Sequence, residues 1–183
     1  MAFNTCLTHP NLTCQWASAA YVVAIQHLLV NPGDGAGAFA EAELVLNGTQ
    51  DDGIIEVQSW LKDAACGSFP DCYPHARFIR IAFTHAFHHL HRETPFEDAL
   101  RQVLTGGGDT DTNACIVGGL VGERVGLGDI PEQMCHAVLD CDTSKGRPPP
   151  AWLQTRDALI VATALLTGLV AGRLVAQRAA LRQ

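Results

Sequence analysis

The sequence has few charged side chains, few aromatic ones and no apolar run long enough to cross a membrane. Charged residues make up 17% of the 183 residues and aromatic residues 7%. The 12 Lys and Arg are outnumbered by 19 Asp and Glu, and the net charge of −7 argues against a nucleic acid partner held by bulk electrostatics. The most apolar stretch, residues 158–172, falls short of the roughly 20 residues that a spanning helix needs. We therefore expect a buried C-terminal helix and no membrane partner.

Several familiar patterns are also missing. The first ten residues carry neither a basic region nor an apolar core, so no signal peptide is expected and the protein is predicted to be cytoplasmic. None of the seven cysteines stands in Cys-x-x-Cys spacing, which favours free or buried thiols in a reducing compartment. No lysine followed by serine or threonine closes the glycine run at 106–108, which argues against a nucleotide triphosphate loop.

Helical periodicity dominates the chain. Apolar residues recur at helical spacing wherever a period is clear, and no segment alternates convincingly with period two. The sequence therefore predicts an all-α fold, and its length fits a single domain spanning 1–183. The predicted helices cover residues 12–30, 37–46, 54–65, 76–90, 95–105, a segment after the glycine run that is interrupted near 126–131, residues 131–139 and the C-terminal stretch.

The most informative stretch runs from Gly106 to Thr112 and reads Gly-Gly-Gly-Asp-Thr-Asp-Thr. Its glycines let the backbone come close to a ligand. Asp109, Asp111 and Thr112 can aim three hard oxygen donors into one pocket from a single helical turn. One interpretation is therefore a site for Mg²⁺, Mn²⁺, Ca²⁺ or phosphate. The other is helix capping, in which a side-chain oxygen accepts from the first amides of the helix without any ligand.

The segment after this turn is rich in small residues: Ala114, Gly118, Gly119 and Gly122. A glycine inside a helix is unfavourable by about 1 kcal/mol relative to alanine. Glycines at these positions therefore indicate that neighbouring helices approach closely. We expect this helix at the centre of a bundle, where it would hold its N-terminal carboxylates rigidly.

These residues resemble the signature of the ADP-ribosylglycohydrolase family, which includes dinitrogen reductase-activating glycohydrolases and a lens crystallin relative. The core of the resemblance is Gly107-Gly108-Asp109-Thr110-Asp111-Thr112-Asn113-Ala114, followed by Gly118-Gly119-Leu120-Val121-Gly122, Gly126 and Ile130-Pro131. Supporting matches in the family's order are Thr8-His9-Pro10-Asn11, Pro95 to Leu100, Cys141-Asp142-Thr143 and Arg147-Pro148. The resemblance covers most of the chain.

The resemblance implies a compact orthogonal helical bundle that binds a pair of Mg²⁺ ions, with Mn²⁺ as a substitute. Its implied activity is hydrolysis of the glycosidic bond between ADP-ribose and an acceptor side chain, so the expected partner is ADP-ribose or an ADP-ribosylated protein. No catalytic acid or base is assigned. The implied site residues are Asp109, Asp111 and Thr112 for metal, and His9, Gly106, Gly107 and Gly108 for substrate.

One departure from the family pattern affects this expectation. Family members usually begin with a further segment that supplies other metal ligands and nearby carboxylates, whereas this chain starts just before Thr8-His9, so the fold is expected to be N-terminally truncated. Asp51-Asp52 follows His9 instead of preceding it and is interpreted as a loop or helix cap. Hard cations prefer about six oxygens. The alternative function is therefore a catalytically incomplete ADP-ribose-binding or protein-interaction module, or a fragment that needs a complementing chain or a second copy.

Four histidines on one predicted helix form the remaining cluster: His85, His88, His89 and His91. His85 and His89 are four residues apart, a spacing that suits a metal ion. No glutamate completes a zinc-protease motif there. Packing and surface roles are therefore the favoured interpretation.

Overall fold

The computed structural model describes residues 5–48, 51–143, 155–165 and 167–168. Within these ranges every regular element is helical, which confirms the all-α prediction. The chain divides into two compact units, Met1–Ile130 and Pro131–Gln183. The first unit contains α1 (Leu12–Val30), α2 (Gly35–Leu46), α3 (Asp52–Cys66), α4 (Ile79–His91), α5 (Phe96–Gly106), α6 (Thr110–Val125) and a 3₁₀ turn (Leu127–Asp129), and the second contains α7 (Glu132–Leu139) and a 3₁₀ turn (Thr155–Asp157).

Helix α6 has a central position in the first unit. It contacts α1, α4 and α5, and α1 in turn packs on α2 and α3. Fully buried Leu28, Trp60, Phe87 and Leu120 come from α1, α3, α4 and α6 respectively. Burying a side chain of this size contributes roughly 1.5–3 kcal/mol. The apolar core therefore fixes α6 from several sides, as its small residues predict.

The glycines of α6 make room for particular neighbours. A Cβ atom added at Gly118 would lie 3.4 Å from Leu100 Cδ2, and one added at Gly122 would lie 3.3 Å from Phe96 Cε2. At Gly119 a Cβ would stand 2.7 Å from the hydroxyl of Tyr21, and that hydroxyl donates a hydrogen bond of 2.8 Å to the Ile116 carbonyl. Burial raises the pKa of Tyr21 to about 12. The missing side chains thus allow α5 and α1 to approach α6 closely.

The N-terminal ends of α1 and α3 are joined through Asp51. The Asp51 carboxylate caps α3 by accepting from the Ile54 amide at 2.9 Å, and it also accepts from Trp16 Nε1 at 2.9 Å. At Gly53 an added Cβ would meet the Leu12 backbone at 2.9 Å, so the two helix ends are in close contact. The interpretation of Asp51 as a helix cap is confirmed.

Two expectations from the sequence are wrong. Helix α4 begins at Ile79 and not at residue 76, because Phe78 takes an extended conformation as its N-terminal flanking residue (φ −71°, ψ 124°). The described part of the C-terminal stretch is not buried: Leu159, Ile160, Val161 and Leu165 are between 45% and 70% exposed. Apolar composition predicts burial only where another element covers the helix. Residues 166 and 169–172 lie outside the described part of the chain.

No described helix is both long and apolar enough to cross a membrane. All seven cysteines lie in the described ranges and are free thiols.

The histidines of α4 pack against the loop that follows α3. The rings of His85 and Phe69 are stacked with centroids 4.3 Å apart, and His88 meets the same Phe69 ring edge-on at 4.8 Å. His88 Nδ1 lies 2.8 Å from the Ala64 carbonyl oxygen, and fully buried His89 pairs through Nδ1 with Thr94 Oγ1 at 3.2 Å. His91 is exposed. The predicted packing and surface roles are confirmed.

Burial has a strong effect on two of these imidazoles. His85 Nδ1 and His89 Nε2 are buried without a hydrogen-bond partner in the described structure. Desolvation lowers the pKa of His85 and that of His89 to about 4, and the neighbouring His88 adds a smaller effect in the same direction. Both rings are therefore neutral in the folded chain at neutral pH.

This arrangement predicts that the folded chain loses stability as the pH falls below about 6.5, the ordinary histidine value. Between about pH 6.5 and pH 4, His85 and His89 are protonated in the unfolded chain but not in the folded chain. The free energy of unfolding therefore decreases as the pH falls. Urea denaturation at a series of pH values measures this free energy. His85→Phe keeps the stacked ring and removes one titrating group, so it should flatten the pH dependence.

His91→Phe is the matched control, because His91 is exposed on the same helix. It should leave the pH dependence as it is in the original chain. Equal pH dependence in His85→Phe and in the original chain would contradict the assignment.

Candidate functional site

Two successive glycines connect α5 to α6. Gly106 is the last residue of α5, and Gly107 and Gly108 follow with φ values of +80° and +76°. Residues with a side chain rarely adopt positive φ values, whereas glycine adopts them without steric penalty. The two glycines thus reverse the chain so that Asp109 stands at the N-terminal cap position of α6.

The turn is covered by the segment that leads from α3 to α4. A Cβ atom added at Gly108 would lie 3.1 Å from Cys72 Cβ, 3.4 Å from Cys72 Sγ and 3.7 Å from Ala76 Cβ. No such contact lies within 4 Å of Gly106 or Gly107. Gly108 is therefore the point at which the two segments meet.

Asp109 occupies the cap position without acting as a cap. Its side chain makes no hydrogen bond to the first amides of α6 in the described structure. The carboxylate is only 18% exposed, and its Oδ2 lies 3.6 Å from Nε of Arg77. The capping interpretation therefore does not account for Asp109, whose carboxylate instead faces the guanidinium of Arg77.

The Asp111 carboxylate lies beside that of Asp109. Its pKa is lowered by a hydrogen bond with Asp109, by the backbone amides of Thr112 and of Asp111 itself, and by the charge of Arg77. Asp111 and Thr112 are both exposed, on the first turn of α6. Two carboxylates this close repel each other unless a proton or a cation lies between them. The structure thus brings together the predicted pair of carboxylates.

His9 lies in the turn that precedes α1. Its side chain is exposed, and its Nδ1 lies 2.9 Å from Oγ1 of the adjacent Thr8. This contact is local to the turn, so the role of His9 in a substrate pocket stays a prediction.

Arg77 is a site residue that the sequence did not reveal. The predicted helix from residue 76 would have placed it among helical surface residues, whereas residues 76–78 precede α4 and run beside the glycine turn. Together with Pro74, His75, Ala76 and Phe78, Arg77 lines a cavity of about 740 Å³. Arg77 thus lines the cavity and also lies beside the carboxylate of Asp109.

The sequence matches a protein-family model over most of its length. A family model described as ADP-ribosylglycohydrolase matches residues 1–177. The chain belongs to this family. Among curated proteins and among solved structures, no significant match is found. Membership of the ADP-ribosylglycohydrolases supports a hydrolase that acts on a glycosidic bond of an ADP-ribosyl substrate.

Within the described residues, no group of three or more histidine, cysteine, aspartate or glutamate side chains is close enough to hold a metal ion. The histidines of α4 therefore supply no such centre in that part of the ADP-ribosylglycohydrolase chain. The carboxylates of Asp109 and Asp111 form a smaller set, a pair.

The glycine turn predicts a sharp difference between two alanine substitutions. Gly108→Ala should destabilise the chain by about 1–3 kcal/mol, because the new Cβ meets Cys72 and the φ of +76° is strained for alanine. Gly106→Ala is the matched control, since Gly106 is helical and has open space around it, and it should be neutral or slightly stabilising. Chemical denaturation measures both, and equal effects would show that Gly108 is not the point of contact.

Proposed function

We propose that the chain is a Mg²⁺-dependent hydrolase that removes ADP-ribose from modified protein side chains or from related ADP-ribosyl substrates. The observation that carries this proposal is the carboxylate pair at the start of α6, in which Asp109 faces Arg77 and Asp111 but does not cap the helix. Because Asp109 does not cap α6 and faces a guanidinium, the pair has negative charge available to hold a cation. Family membership supplies the substrate class.

The donor chemistry suits a hard, partly hydrated cation. Asp109 and Asp111 offer carboxylate oxygens, and Thr112 offers a hydroxyl one position further along the same turn. Mg²⁺ is usually bound through one or two carboxylates and keeps several waters or takes substrate oxygens in their place. The residues of this turn therefore fit Mg²⁺, and by the same chemistry Mn²⁺, with part of the coordination sphere left to water and substrate.

The chain's own residues then have distinct tasks. Asp109, Asp111 and Thr112 would hold the cation, which would supply positive charge to fix ribose hydroxyls, to orient water and to stabilise charge developing at the anomeric carbon. Gly107 and Gly108 present bare backbone to the sugar or diphosphate. His9 contributes a wall of the ADP-ribose pocket in this proposal.

The proposal predicts Mg²⁺-dependent release of ADP-ribose from ADP-ribosylated arginine by the purified chain. Asp111→Asn should reduce this release by about a hundredfold or more, because even the loss of a residue that only supports a metal ligand lowers activity 10- to 100-fold. Asp98→Asn is the matched control, since Asp98 is an exposed carboxylate in the first turn of α5. It should retain the release rate of the original chain.

Two outcomes would contradict the proposal. The first is a folded original chain that releases no ADP-ribose with Mg²⁺ or Mn²⁺. The second is an Asp111→Asn variant that is as active as the Asp98→Asn control. Circular dichroism on each sample establishes that the helices are intact.

The second candidate is a module that binds ADP-ribose without cleaving it. The observation in its favour is that Asp109, Asp111 and Thr112 all belong to one turn of one helix, so they contact a cation from one side only. Calorimetry with ADP-ribose, run beside the release assay, distinguishes the two candidates. Binding without turnover would support the module, and a partner chain that restores turnover would support assembly with a second polypeptide.

A further inference from the structure

Arg77 is held loosely at the carboxylate pair. Its side chain is 90% exposed, and the 3.6 Å between its Nε and Asp109 Oδ2 is longer than a hydrogen bond. Exposed ion pairs of this kind contribute little to stability. Nothing in this contact therefore prevents the guanidinium from exchanging Asp109 for another anion.

The cavity offers space for such an anion. Its volume of about 740 Å³ is within the roughly 300–1,000 Å³ typical of ligand pockets. Among the described residues that line it, Arg77 supplies a positive charge, and Pro74, His75 and the 42% exposed Phe78 supply flat surfaces. This combination suits a planar ligand that carries phosphate, because a guanidinium binds phosphate oxygens in pairs.

A divalent cation and Arg77 compete for the same carboxylate. Two positive groups at one carboxylate repel each other. A divalent cation bound at Asp109 would therefore weaken the ion pair between Arg77 and Asp109. The backbone of residues 76–78 stays in place, because Ala76 contacts the glycine turn. When the Arg77 guanidinium leaves Asp109, it can therefore move into the cavity that Arg77 already lines.

We infer that Arg77 is the residue that binds the diphosphate of the ADP-ribosyl ligand, and that it exchanges Asp109 for phosphate when cation and ligand enter. This inference rests on the proposed function for the identity of the ligand. It assigns Arg77 a positioning role, since the guanidinium contacts the diphosphate and not the glycosidic bond.

Binding measurements without turnover test the inference. Calorimetry is run with Mn²⁺ alone and with ADP, on the original chain, Arg77→Gln and Arg77→Lys. Arg77→Gln should bind Mn²⁺ several-fold more tightly, because the competing charge is gone, and ADP about tenfold more weakly, because a charge-assisted contact is lost. Arg77→Lys keeps the charge without the paired donors, so its ADP affinity should lie between those of Arg77→Gln and the original chain.

Arg101→Gln is the matched control. Arg101 is an exposed arginine that pairs with Glu97 on α5, and its loss changes the net charge by the same amount. It should leave both affinities unchanged. Opposite shifts for Mn²⁺ and ADP in Arg77→Gln alone support the exchange.

The inference is overturned if the original chain does not bind ADP, if Arg77→Gln binds ADP as tightly as the original chain, or if Arg101→Gln shows the same shifts. A chain that binds ADP through Arg77 yet releases no ADP-ribose would refute the proposed hydrolase and leave this inference standing. Failure of the one is therefore distinguishable from failure of the other.

Discussion

The lack of a side chain at Gly108 is the constraint on which the candidate site depends. Because position 108 carries only hydrogen, Cys72 and Ala76 pack directly on the turn between α5 and α6. The segment leading into α4 is thereby held against the start of α6. This contact, between two parts of the chain more than thirty residues apart, helps to keep Arg77 and the cavity wall beside the carboxylate pair.

The same segment also links the site to the interior. It begins after α3 with Phe69, whose ring stacks on His85 and meets His88 edge-on, and it ends directly before α4 with Phe78, whose ring meets Trp60 of α3 edge-on at 5.6 Å. Its two ends are therefore fixed by aromatic contacts while its middle contacts the glycine turn. The Phe78 carbonyl also accepts from the Ile81 amide at 3.0 Å, which joins the end of this irregular segment to the first turn of α4.

Local chemistry explains which features could be predicted from the sequence. Apolar spacing and the Pro32-Gly33 pair predict helix α1 at residues 12–30, and in the structure Asn11 caps it by accepting from the Thr13 and Cys14 amides. The Asp109 and Asp111 pair was predicted because its members are two residues apart. Arg77 was missed because its partner is distant in sequence, and the exposure of Leu159 and Ile160 was missed because burial depends on what covers a helix. Composition and hydrophobic periodicity do not indicate which segments distant in sequence come into contact.

The hydrogen bond from Tyr21 to the Ile116 carbonyl has a consequence for how this chain can vary. The phenol reaches the backbone of α6 through the space that Gly119 leaves empty, so the two positions share one volume. A methyl group at 119 and a hydroxyl at 21 are mutually exclusive unless α1 and α6 move apart. Alanine at 119 is compatible with phenylalanine at 21, and in related sequences these two positions should therefore change together.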